Sequence, residues 1–142
     1  MMGLSIKRLD RYELKSALKL VWEVFLEYEA PDYTQEGIDE FFKSIHDENY
    51  LTTLTAYGAF LDECLIGVIA TRNSGKHIAL FFVEGKYHHQ GVGKQLFETV
   101  RTNKMTVNSS PYAVPIYKRL GFFPVNSEQV VNGLRFTPME LQ

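Results

Sequence analysis

An α/β fold, its sheet mixed but mostly antiparallel and flanked by helices, follows from three features of this 142-residue sequence. Two segments of helical periodicity open the chain. Three apolar runs joined by turn residues follow, the pattern of a strand meander. A glycine turn between an apolar strand and an amphipathic helix then starts a strand–helix–strand alternation. The length suits one domain, residues 1–142, with one sizeable core.

Each element has a local reason. Ser5–Leu9 alternates as a short strand, and Asp10 with Glu13 forms a capping-box start to a helix. Leu14, Ala17, Leu18, Val21 and Phe25 recur at helical spacing, so the first helix is expected from about Arg11 to Glu29, stopped by Pro31. Thr34 is placed to cap a second helix striped by Ile38, Phe41, Phe42 and Ile45. Two helices are thus expected before the sheet, with strand character beginning after Leu51. Tyr57–Leu61 and Leu65–Arg72 read as a hairpin about Asp62–Cys64, and Asn73–Lys76 turns the chain into His77–Val83. That last strand has Ile78, Leu80 and Phe82 on one face and Ala79, Phe81 and Val83 on the other. Being apolar on both, it belongs in the middle of the sheet. A helix follows from about Gly91 to Thr102, then a short strand at Met105–Val107 and a polar loop at Asn108–Pro111. Ala113, Ile116, Tyr117 and Leu120 stripe a further helix that starts near Pro115 and ends at Gly121. Phe122–Val125 and Leu134–Leu141 are the closing strands, turned by Asn132–Gly133, and the edge after Val125 is a candidate homodimer contact.

Composition excludes several function classes. A hydrophobic share of 45% with 23% charged residues is that of a folded globular chain. Net charge is -2 and no basic block is present, so no nucleic-acid surface is expected. No apolar run reaches the ~18 residues of a membrane span. One cysteine, Cys64, excludes an internal disulfide and fits a reducing cytoplasm, and its turn-like setting reads as structural.

The chemistry centres on Phe81–Phe97, FFVEGKYHHQGVGKQLF. A helix opening on Gly91-Val92-Gly93 points backbone N–H groups outward at its positive end, an anion site; glycine lets a phosphate approach and tolerates unusual φ. A Walker loop is excluded by the glycine spacing and by Gln95 after Lys94, and a dinucleotide fingerprint by Leu96 where a small residue is needed. His88 and His89 are a poor metal pair. Neighbouring histidines rarely chelate one ion, and no Cys or carboxylate sits at ligand spacing, so no metal is expected.

Taken with Asn108–Phe122 (NSSPYAVPIYKRLGF), the order of elements resembles the GNAT superfamily of acetyl-CoA-dependent N-acetyltransferases over nearly the whole chain. The family's phosphate motif, Arg or Gln, two residues, Gly, one residue, Gly or Ala, corresponds to His88, His89, Gln90, Gly91, Val92 and Gly93, with His88 as the departure. Its later signature corresponds to Ala113, Tyr117, Gly121 and Phe122. The resemblance implies a pyrophosphate cradle at residues 88–94 and backbone donors at Phe82 and Val83 for the pantetheine arm and the acetyl oxygen. It further implies Asn108 as a partner for pantetheine amides and Tyr117 as the general acid that protonates the departing thiolate.

No activated nucleophile is evident, which favours direct attack by the amine in a ternary complex. Glu84 and His77 are the candidate bases, with water as an alternative. Tyr117 has a competing reading as a core ring, and Asn108 as a turn residue. The acidic and aromatic run Glu27–Tyr33 suits a cationic amine acceptor. A module that binds acyl-CoA without transferring the acyl group is the alternative function.

Overall fold

The computed structural model describes residues 3–142. Strand β1 (Leu4–Leu9) leads into α1 (Arg11–Val24), whose Asp10–Glu13 capping box forms in full, with bonds of 2.8 and 2.9 Å. The helix then widens. Phe25–Glu29 is a π-helical turn and Ala30–Asp32 a 3₁₀ turn, so the expected 19-position helix is regular only to Val24. Thr34 precedes α2 (Gln35–Ile45), although its side chain makes no capping bond. Glu48–Thr52 is a third helix, α3, capped by Asp47, where strand character was expected to begin at Leu51. Its five residues are too few for a periodic signal.

The meander is β2 (Thr55–Leu61), β3 (Cys64–Arg72) and β4 (His77–Val83). After it come α4 (Val92–Val100), β5 (Thr106–Ser109), α5 (Val114–Arg119), β6 (Phe122–Pro124), β7 (Gln129–Val131) and β8 (Leu134–Leu141). Pro115 falls in the first turn of α5, where a missing N–H costs nothing. The sequence did not signal β7. It is three residues long and pairs across the Asn132–Gly133 turn with β8.

Strand order is β1-β2-β3-β4-β5-β8-β6, with β7 also on β8. Only β4 and β5 run parallel. The sheet is therefore mixed and mostly antiparallel, with β4 at its centre. Two cores cover its faces. One gathers Leu14, Val21 and Phe25 of α1 with Leu80 and Phe82, and the other gathers Leu96 and Phe97 of α4 with Tyr117 and Met139.

The face assignment within β4 needs correction at one residue. Leu80 pairs with Ala70 but Ile78 with Thr71, so Ala79 is an extra residue, a bulge. The bulge moves Ile78 into the core that holds Phe81 and Val83 rather than the one with Leu80 and Phe82. At the sheet's β6 end, Phe123 and Val125 are exposed, as are Val130 and Val131 of the nearby hairpin.

Candidate active site

The central gap comes from the one parallel pair. β4 and β5 are joined only at His77–Thr106 and Ile78–Val107, and beyond those pairs they separate. On the other edge of β4 the antiparallel ladder continues to Glu84, whose N–H reaches Ile66 O at 2.9 Å. Alternation along that ladder turns the N–H and C=O groups of Phe81 and Val83 toward the gap, whereas those of Phe82, expected from the sequence to face it, point to Val68 on β3. His88 agrees with this direction, since its Nε2 lies 2.6 Å from Val83 O and donates to it.

Two cavities meet at this gap. One, of about 460 Å³, lies against the glycine loop and α5, between Val83, His88, Gly93, Lys94, Tyr112 and Arg119. The other, of about 360 Å³, lies toward α2 and the β7–β8 hairpin, between Tyr33, Glu40, Phe41, Asn108, Arg135 and Phe136. Glu29, Phe81, Phe82, Ala113 and Tyr117 line both.

The loop has the backbone of an anion cradle. His89 and Gly91 take positive φ, 63° and 85°, a conformation open to glycine and tolerated by His more than by most residues. No side chain caps α4, and its first backbone bond is Gln95 N–H to Gly91 O, at 3.0 Å. The N–H groups of Val92, Gly93 and Lys94 thus have no partner inside the helix. A Cβ on Gly91 would point into open space, and one on Gly93 would face the Phe81 ring. These features fit a pyrophosphate, with Lys94 and Arg119 as cations on the same cavity.

Side chains of the loop divide the work unevenly. Val92 is fully buried and anchors the helix, while Gln90 is exposed and donates to Lys86 O. His89 is also exposed. His88 turns back onto β4 and packs on Tyr28, with ring centroids 4.8 Å apart. Asn108 lies on the smaller cavity and is not among the residues lining the larger one.

Tyr117 satisfies both of its readings. Its ring sits in the core against Phe81 and Phe122, with centroids at 6.0 and 5.4 Å, while the residue lines both cavities. Burial, reinforced by the Glu29 charge, pushes the phenol well above its ordinary value, so it remains a proton donor.

Glu29 stands beside it at the end of the π turn. The extra residue per turn re-aims this last side chain toward the gap. It is half-buried and lines both cavities. Burial pushes its carboxyl up to about 8; a bond from the Ser110 hydroxyl opposes the shift and the Asp32 charge adds to it.

The two bases expected from sequence lie elsewhere. His77 is at the closed end of the β4–β5 pair, its Nδ1 2.7 Å from Thr106 Oγ1, and burial, then the Arg72 charge, lowers it to about 4. Glu84 is 41% exposed and pairs with Lys86 at 3.7 Å. Neither lines a cavity. The sequence reading placed Glu29 in the run suited to the acceptor without singling it out as a base, and it did not name Arg119. The acidic run around Glu29 was a signal, but only the π turn selects this carboxylate over Glu27.

A splayed parallel pair with an N–H cradle on one side is an acyltransferase architecture, and residues 29–142 match the acetyltransferase (GNAT) domain. The protein belongs to that family. Among solved structures it is similar to a GCN5-related N-acetyltransferase from Rhodopseudomonas palustris, with TM-score 0.83 and 17% identity, over 99% of this chain and 96% of that one. It is also similar to the PaiA N-acetyltransferase from Thermoplasma acidophilum in complex with coenzyme A, with TM-score 0.76 and 20% identity, over 99% of both chains. FeeM, an N-acyl amino acid synthase from uncultured soil microbes, aligns at TM-score 0.70 and 15% identity, over 97% of this chain and 90% of that one. At these identities the likeness is one of fold. No curated protein matches the chain. Among the described residues no helix is long and apolar enough to cross a membrane, and no three His, Cys, Asp or Glu side chains gather as a metal cluster.

Proposed function

We propose that the protein is an N-acetyltransferase that moves an acetyl group from acetyl-CoA to a primary amine by direct attack in a ternary complex, with residues 1–142 as a single cytoplasmic domain. The observation that carries this reading is the meeting of the two cavities at Tyr117 and Glu29. A donor held on one side and an amine on the other then meet beside an acid and a base.

The larger cavity takes the donor. The N–H groups of Val92, Gly93 and Lys94 hold its pyrophosphate, and the gap-facing backbone of Phe81 and Val83 runs beside its pantetheine arm. The thioester supplies the activated acyl group. Glu29, ionised as it meets the substrate ammonium, removes a proton so that the nitrogen lone pair can attack the carbonyl carbon. A β4 N–H directed into the gap stabilises the developing oxyanion, a contribution of about 2.7 to 4 kcal/mol for one such donor. Tyr117 gives its proton to the sulfur as the carbon–sulfur bond breaks, and the proton shed by the new amide nitrogen returns to the phenolate. Cys64 is exposed at the β2–β3 turn and lines neither cavity, which supports direct attack over an acyl-enzyme.

The test is calorimetry with acetyl-CoA followed by a thiol-release assay over an amine panel. The reading expects saturable binding and acceptor-dependent release, and absence of binding at millimolar acetyl-CoA would overturn it. A donor-binding module without transfer is the second reading, favoured by the His88 ring on the Val83 carbonyl. It expects binding with no thiol released by any amine.

A further inference from the structure

The smaller cavity carries more charge recognition than a single amine requires. Its walls are aromatic. Phe41 stacks on Phe25 with centroids 4.0 Å apart, Tyr33 stacks on Phe25 at 5.6 Å, and Phe41 leans on Phe82 at 5.8 Å. The charged side chains on it are Glu29, Glu40 and Arg135.

Arg135 is already satisfied. Its Nε and Nη2 hold the two carboxylate oxygens of Glu128 at 3.1 and 3.2 Å, and Nη1 donates to Asp32 O at 3.0 Å. Glu29 and Glu40, by contrast, have no lysine, arginine or histidine within ion-pair distance among the described residues. Glu29 lines both cavities, whereas Glu40, on α2, lines only the smaller one.

An acceptor with one ammonium answers Glu29 and leaves Glu40, half-buried on the same cavity, without a cation. An amino acid would bring a third carboxylate to a cavity whose arginine is engaged. An arylalkylamine suits the rings but again leaves Glu40 without a cation. The geometry points to an aliphatic diamine or longer polyamine as the acceptor, with the reacting nitrogen at Glu29, the distal ammonium at Glu40 and the chain along the aromatic wall. This rests on the smaller cavity being the acceptor site.

The experiment is calorimetry on the CoA-loaded protein with n-alkylamines, α,ω-diamines of matched length, spermidine and phenethylamine, in wild type and Glu40→Gln. Wild type binds the best diamine or spermidine at least about tenfold more tightly than the matched monoamine, the scale of one ion pair that is not fully solvated. Glu40→Gln, shown to be folded by its retained CoA binding, brings that ratio toward one. Equal affinities, preference for phenethylamine, an unchanged ratio in Glu40→Gln, or no amine binding would each overturn the inference. Tight diamine binding without thiol release would overturn transfer while leaving this recognition in place. Thiol release with monoamines and diamines alike would do the reverse.

Discussion

The two cavities are built in different ways. The donor side has its anion loop in consecutive sequence, residues 83–94, where β4 ends, a loop follows and α4 begins, and the π turn and α5 supply the facing wall. The acceptor side draws on the π turn after α1, on α2, on β4 and β5, and on the β7–β8 hairpin, and its members span Phe25 to Phe136. Local backbone chemistry specifies the first, while the second exists only after long-range packing. One contact closes it. Gly37 of α2 meets Gly133 of the hairpin backbone to backbone, so closely that a methyl on either glycine would collide with the other chain segment. The donor loop therefore needs only local sequence, while the acceptor wall needs the hairpin docked on α2.

Substitutions can separate the two sides. The largest effect is expected where they meet. Tyr117→Phe removes the acid, and turnover should fall about 10²-fold or more, the lower end for general acid–base catalysis, with CoA affinity retained by calorimetry. Unchanged turnover with a good acceptor would return Tyr117 to a purely packing role.

Two glycine replacements then break the comparison apart. Gly91→Ala forces alanine to a φ of 85° and puts a methyl where a phosphate would lie, so CoA should bind about tenfold more weakly. Gly37→Ala opens the hairpin contact and should cost about 1–3 kcal/mol of stability in denaturant melts. Its loss of affinity should fall on the acceptor and leave CoA binding near wild type. If both variants weakened CoA binding equally, the two cavities would not be independently built.

Legibility from sequence follows the same division. The sheet, its central β4 and the helix after Gly91 were readable because alternation, helical stripes and turn glycines are local signals. Tyr117 came from the resemblance, through its match with Ala113 and Gly121, since its spacing alone suited a core ring equally well. The short α3 and β7 were not readable, since three to five residues carry no period. Ile78 changed faces because of a bulge at Ala79 that leaves no mark in an apolar run. The two candidate bases fall outside the two cavities for a related reason. Glu84 and His77 flank β4 in sequence, but one projects into solvent and the other sits where β4 and β5 are still joined. Glu29 reaches the gap only because α1 widens to a π turn, a local change that the stripe of Leu14, Leu18, Val21 and Phe25 does not encode.

Glu29 also ties stability to pH. Its folded value of about 8 lies above the ordinary carboxylate value of 4.5, so the folded state holds a proton that the unfolded chain releases between those limits. Its contribution to stability is therefore largest at low pH and declines as pH rises through that window.

The most direct measurement is the pH dependence of acceptor-dependent thiol release in wild type and Glu29→Gln, with melts and CoA binding as controls for folding. For wild type, kcat/KM should rise with an inflection near 8, where Glu29 ionises. Glu29→Gln should lose that inflection and about 10²-fold in rate. A folded Glu29→Gln protein with wild-type rate and the same inflection would contradict the assignment of Glu29 as the base where the two cavities meet.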